Sequence, residues 1–102
     1  MTLVSYSDNM IISFGSKQTE KIYQSERVAQ LPLDIQRIGL RKLILLDQSQ
    51  DMKDLMIPPS NRLEKLKGNM KEYHSIRIND QWRIIFKWVN NNAHDVEIID
   101  YH

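Results

Sequence analysis

The strongest constraint on how this chain can fold is an alternation in its last third. Three short runs, EYHSIRI, WRIIFKWV and DVEIID, are rich in β-branched and aromatic residues and are separated by NDQ and NNNAH, which is turn chemistry. Within the middle run Trp82, Ile84, Phe86 and Trp88 fall on every second position, the signature of a strand with one face on a core. A slip of one residue sends every side chain to the other face, so this stripe dictates the register of its neighbours. For Ile76 and Ile78 to share it, the first turn is Asn79, Asp80 and Gln81, which puts Arg77 directly across from Arg83 on the opposite face. For Val96 and Ile98 to share it, the second connection runs the five residues from Asn90 to His94 and pairs Arg83 with Tyr101. Like charges facing one another across strands are destabilising, and an anion between them removes the penalty. The pattern therefore predicts a row of Arg77, Arg83 and Tyr101 on the face away from the rest of the protein.

Upstream the periodicity becomes helical. Ser16 is placed to cap a helix starting KQTEKIYQ, with Glu20 reinforcing it, and Pro32 suits the first position of a second helix, LPLDIQRIGLRKLILLDQ. There Leu31, Ile35, Ile38 and Leu45 recur at helical spacing, and Gly39 permits close packing. Ser49 is expected to cap a short turn through Met56, Pro58-Pro59 stops any helix, and PPSNRLEKLKGN reads as an irregular basic loop. MIISF, from Met10, reads as a short strand, and residues 1–9 as a loose extension outside a single domain of residues 10–102. Helices first and strands last give an α+β fold: an N-terminal strand and two to three helices packed on one face of a C-terminal antiparallel sheet.

Composition mostly excludes. The 14 Lys+Arg against 13 Asp+Glu leave a net charge of +1, so any polyanion-binding surface has to arise from the distribution of charge. The absence of cysteine removes disulfide scaffolds and thiolate metal sites. His74 and His94 lack metal-ligand spacing, and no glycine-rich phosphate loop or GxSxG is present. With no apolar stretch of spanning length and no signal-type start, a cytoplasmic protein without cofactor or membrane partner is expected.

The last residues, VEIIDYH, bring an aspartate, a phenol and an imidazole to the end of the final strand, beside the paired arginines. Two guanidiniums can clamp a phosphate and stabilise charge developing on it. RNA cleavage needs the 2′-hydroxyl deprotonated and the leaving oxygen protonated. Imidazole titrates near neutrality. A phenol, ordinarily near 10, needs a neighbouring cation to act as a base, and Arg83 is one. A terminal carboxylate at His102 favours the protonated ring and an acid role, and Lys67 of LEKLKGN can reach the same face. On residue type alone, Arg77 and Arg83 read equally well as strand arginines paired with Glu97 or Asp95. By the same standard Lys65, Lys67 and Arg62 read as a solvated loop, and Trp82, Phe86 and Trp88 as core rather than base-stacking residues.

NRLEKLKGN, HSIRINDQWRIIF and the terminal VEIIDYH together resemble the HigB-type toxins of bacterial toxin–antitoxin pairs, within the RelE/ParE superfamily. The likeness covers about residues 10–102; SIRINDQWRI and DYH are its specific parts, and the helical half matches in layout only. It implies a metal-independent endoribonuclease that enters the decoding site of a translating ribosome and cuts messenger RNA by attack of the 2′-oxygen on the adjacent phosphate. It also implies a helix-turn-helix antitoxin of the HigA type, with operator DNA bound only through that partner. Carried over by motif, the catalytic residues are Lys67, Arg83, Asp100, Tyr101 and His102. Arg62, Lys65 and Arg77 are expected on the RNA, Arg77 by the register argument. Glu64 stands where some relatives carry a histidine, which shifts acid–base work onto Tyr101 and His102. A ParE-like gyrase inhibitor without RNA cleavage is the alternative, and an inactive toxin acting as corepressor a third reading. A basic working face offset by acidic residues such as Glu20, Asp51 and Asp54 predicts salt-sensitive binding to ribosomal RNA.

Overall fold

In the computed structural model, which describes residues 10–101, the alternating runs form one antiparallel sheet. Its strands are β1 (Glu64–Lys65), β2 (Tyr73–Arg77), β3 (Trp82–Val89) and β4 (Asn92–Asp100), in that spatial order. Two helices, α1 (Lys17–Tyr23) and α2 (Leu33–Gln48), pack against one face of the sheet. The expected α+β architecture is therefore the observed one. Residues 1–9 and His102 lie outside the described residues.

Local chemistry explains the helix limits. The Ser16 hydroxyl accepts from the Thr19 amide at 3.2 Å and starts α1; Glu20 falls one residue too late to close a capping box, and Thr19 occupies that place. Pro32 stands immediately before α2 as its N-cap. A side chain at Gly39 would put its Cβ 3.0 Å from the Ile98 Cδ1, so the glycine lets α2 lie close over β4. The turn over Met52–Met56 is capped by Asp51, in a reciprocal box with Asp54, rather than by Ser49. Ser49 instead ends α2, its hydroxyl donating to the Leu45 carbonyl at 2.8 Å.

The core lies between helices and sheet, where Leu43, Leu46, Leu55, Ile76, Ile84, Phe86, Ala93 and Val96 are wholly buried. Trp82 and Trp88 pack at its margins, so the aromatic stripe of β3 is a core stripe. The segment expected as an N-terminal strand runs parallel to β4 through two isolated bridges, Ile11–Ala93 and Phe14–Val96. It covers that edge without forming a regular strand. Gly15 makes this possible, since a Cβ there would come 2.9 Å from the Glu97 Oε1.

The two register expectations fare differently. Arg77 is the Cα partner of Arg83, as the three-residue turn requires. Arg83, however, lies opposite Ile99, not Tyr101, and Trp82 lies opposite Asp100. The connection is two residues long, Asn90 and Asn91, both left-handed at φ 53° and 64°, the geometry of a tight hairpin turn. A bulge between Ile85 and Lys87, with Asp95 at φ 53°, then restores Val96 and Ile98 to the core face.

Candidate active site

The sheet face away from the helices is built around Arg83. Alternation along β3 sends this side chain to the side opposite Ile84, and it is buried there, with 6% of its surface exposed. A buried guanidinium needs partners for its donors. Its Nη1 donates to the Glu64 Oε1 and to the Ser75 Oγ, each at 2.9 Å. Ser75, on β2, is itself fully buried. Glu64, on β1, has 52% of its side chain exposed, so the ion pair opens to solvent on the carboxylate side. Both of these hydrogen bonds run through Nη1.

Over this guanidinium lies the ring of Tyr101, its centroid 5.5 Å from the Arg83 Cζ, within cation–π range. The register correction thus leaves the two residues in contact, diagonally rather than face to face. A clamp from the β2–β3 turn holds the end of β4 in place. The Gln81 carbonyl accepts from the Tyr101 amide at 2.7 Å, and the Gln81 amide group donates to the Asp100 Oδ2 at 3.0 Å. Asn79 stiffens this turn, its Oδ1 accepting from the Gln81 and Trp82 amides, both at 2.8 Å. Tyr101 itself is exposed.

The remaining expected residues are dispersed around this centre. Arg77, half-buried, faces Arg83 across the strand pair and donates to Asp80, a carboxylate whose side chain is almost wholly solvated. That contact, together with the nearby Arg77 and Arg62 charges, holds the Asp80 carboxyl below its usual range. Neither arginine pairs with Glu97 or Asp95. Asp95 bonds Lys87 at 3.4 Å instead, and burial beside Asp95 raises the Glu97 carboxyl. Lys67 is exposed at the start of the turn after β1, where Gly68 takes a positive φ of 66°. It forms no ion pair among the described residues. Lys65 pairs in β1 with His74, whose ring stacks on core residue Phe86, so alternation turns Lys65 to the opposite side from Glu64 and Arg83. Arg62 is exposed in a left-handed conformation at φ 47°. His102 cannot be placed here, lying outside the described residues. No group of three metal-ligating side chains occurs among the described residues, and no helix there is long and apolar enough to cross a membrane.

Sequence reasoning missed the working partners of Arg83. Ser75 had a signal, sharing the parity of Arg77 on β2. Glu64 had almost none, because its strand is two residues long inside a stretch that reads as a loop.

A phosphodiester is the anion this arrangement suits: a braced guanidinium, an aromatic lid bearing a hydroxyl, and an exposed carboxylate to be exchanged for the ligand.

The family model for the RelE-like toxin of the type II toxin–antitoxin system HigB matches residues 12–102. The chain is 44% identical to Toxin HigB-1 of Vibrio cholerae over 85 residues, covering 82% of this chain and 90% of that protein. It is 31% identical to Endoribonuclease HigB of Proteus vulgaris over 94 residues, covering 91% of this chain and 100% of that one. Among solved structures, the YoeB-YefM complex from Staphylococcus aureus superposes with a TM-score of 0.51 at 21% identity, over 90% of this chain and 97% of that one. That likeness is one of fold.

Proposed function

The chain belongs to the HigB family of RelE-like type II toxins, and from that premise we propose that it is an endoribonuclease that cuts messenger RNA in the decoding site of the ribosome. The observation that carries this reading is the buried Arg83 guanidinium, braced by Ser75 and Glu64 and lidded by Tyr101. A relative named as an endoribonuclease supports the reaction class.

The reaction divides among this chain's own groups. The 2′-oxygen forms a bond to the adjacent phosphorus, and the bond from phosphorus to the 5′-oxygen breaks, leaving a cyclic phosphate and a 5′-hydroxyl. Negative charge gathers on the non-bridging oxygens, where Arg83 supplies preorganised donors that are not reoriented during the step. Glu64 occupies the guanidinium in the free protein, so the phosphate enters by displacing a half-exposed carboxylate, a modest cost for an ion pair open to water. Tyr101 takes the proton of the 2′-hydroxyl and His102 gives one to the leaving oxygen, as a coupled pair. Asp100, held by Gln81, fixes where the strand ends and hence where Tyr101 stands. Lys67 and Arg77 bind flanking phosphates. No step is assigned to a metal. The partner that restrains the toxin is a helix-turn-helix antitoxin of the HigA type, through which operator DNA is bound.

The test is induction of the chain in a bacterium, with messenger 5′ ends mapped and supercoiling assayed in the same cells. Cuts within codons of translated messages are expected. Altered supercoiling without cuts would make the chain a gyrase inhibitor, and neither effect a corepressor.

A further inference from the structure

The face that holds Arg83 continues beyond it. Cross-strand partners in an antiparallel sheet share a face, so the register lays this surface out in rows. Arg77 and Arg83 form one row. Glu64, Ser75, Ile85 and Glu97 form the next, and Tyr73 and Lys87 the one after. Ser75 and Ile85 are buried, and Ile85 stands outside the core between helices and sheet, so the middle row is a closed floor. At its two sides stand cation–aromatic pairs of the same construction. One is Arg83 with Tyr101, at 5.5 Å; the other is Lys87, its Nζ 5.3 Å from the centroid of the Tyr73 ring. Lys87 lies four positions along β3 from Arg83, ~13 Å at the rise of a strand.

The second pair lacks what a phosphate needs. The Asp95 and Glu72 carboxylates lie 3.4 Å and 3.8 Å from the Lys87 Nζ, so the local charge is negative. What it offers is a half-buried aromatic ring already fixed in place, with Lys87 over it. Leu66 lies alongside, its amide donating to the Tyr73 carbonyl at 2.9 Å, and it too is buried outside the helix-side core. A tyrosine has two side-chain torsions to order, and a ring held this way meets a flat ligand at little entropic cost.

We propose that Tyr73, held by Lys87, is a stacking platform for a base of the RNA strand whose phosphate lies on Arg83. The ligand class is an unpaired nucleobase, taken by its π-face. Two observations select it. The platform shares the sheet face of Arg83, with the Ser75–Ile85 floor between them. Exposed Lys67 follows Leu66 in the chain, past the Tyr73 row, so a strand bound at both Arg83 and Lys67 passes the ring. The carboxylates around Lys87 repel a phosphate but not a neutral base, so the strand turns a base, not its backbone, toward this point. The platform rests on the ribonuclease reading, which supplies the strand that crosses Arg83.

The probe is a fully 2′-O-methylated RNA 12-mer, which cannot be cleaved, titrated against the full chain at several salt concentrations. Tyr73→Leu, which keeps apolar bulk beside Leu66, should bind it about 5- to 150-fold more weakly, the range for one stacked base. Stacking releases no counterions, so the slope of log affinity on log salt should stay that of the wild type. Tyr73→Phe keeps the ring and should restore binding, which separates stacking from a folding defect or a contact through the hydroxyl. Wild-type affinity in Tyr73→Leu would overturn the platform. So would a wild-type chain that does not bind the 12-mer, a shallower salt slope in Tyr73→Leu, or a loss in Tyr73→Phe equal to that in Tyr73→Leu. Antitoxin binding lost in Tyr73→Leu with 12-mer binding intact would also overturn it and make the ring part of a protein interface. The two readings fail separately. Messages cut normally by a chain whose 12-mer binding ignores Tyr73 would remove the platform and keep the ribonuclease. Binding that depends on Tyr73 in a chain that cuts no message would do the reverse.

Discussion

The two faces of the sheet are both closed to water around β3, yet only one of them buries a charge. Toward the helices, Ile84 and Phe86 meet Leu43, Leu46 and Val96 with no exposed surface at all. Away from them, at the position just before Ile84, Arg83 is 6% exposed and meets a serine, a carboxylate and a phenol ring. The first face is the usual source of stability, apolar area removed from water. The second stabilises little, because a desolvated ion pair recovers through its hydrogen bonds about what burial took from it. What the second face provides is a charge held in one place. On the proposed reading, residues side by side on one strand serve the fold and the chemistry separately, and the separation can be tested.

The largest effect on stability belongs to the apolar face. Phe86→Ala should cost about 3–5 kcal/mol, a large share of the roughly 5–15 kcal/mol typical of a small domain. Urea denaturation would show it as a lower midpoint. A loss below ~1 kcal/mol would mean that the cluster of Phe86, His74 and Trp88 repacks and is not the structural centre.

A smaller effect, of opposite character, is expected at the rim of the polar face. Glu64→Gln removes the internal anion while keeping an acceptor for the Arg83 Nη1. Stability should change by less than about 1 kcal/mol, and affinity for an uncleavable RNA should rise by up to about five-fold, the value of a half-exposed ion pair. Weaker binding would show that the carboxylate helps hold the ligand instead of competing with it.

The smallest effect is in pH dependence, where the apolar face has a weak seam. His74 stacks on Phe86 with its Nδ1 buried and unpartnered, and burial, then the Lys65 charge, lowers the imidazole pKa. A lowered value means that the unfolded chain takes the proton first. Stability from this group is therefore whole above about 6.5, its ordinary value, and is lost as pH falls toward the folded value. His74→Phe should flatten the melting temperature between pH 7 and pH 5, with little change at pH 7. An unaltered slope would assign that dependence to other groups.

How much of this was legible in the sequence follows from where the chain had choices. The placement of Arg77 opposite Arg83 was legible because the apolar parity of Ile76, Ile78, Trp82 and Ile84 admits only one short turn. The helix starts at Ser16 and Pro32, and the close approach at Gly39, were legible from single residues with one physical use each. The β3–β4 register was not. Three asparagines in succession, with Asp95 nearby, all tolerate left-handed backbone. A five-residue loop and a two-residue turn with a bulge therefore satisfy the same core pattern, and only tertiary packing decides between them. Glu64 was hidden because a two-residue strand has no periodicity to read. Its pairing with Arg83 is set by the chain reversal at Gly68 and by the neighbouring strand.

The central claim is that Arg83 holds the reacting phosphate and does not serve the fold. The direct measurement is message cleavage by Arg83→Ala on translating ribosomes in vitro, paired with its denaturation midpoint. The account expects cleavage to fall roughly 10²–10⁴-fold, the range for a group that stabilises transition-state charge, in a protein that still folds cooperatively. A folded Arg83→Ala protein that cuts messages at the wild-type rate would contradict it.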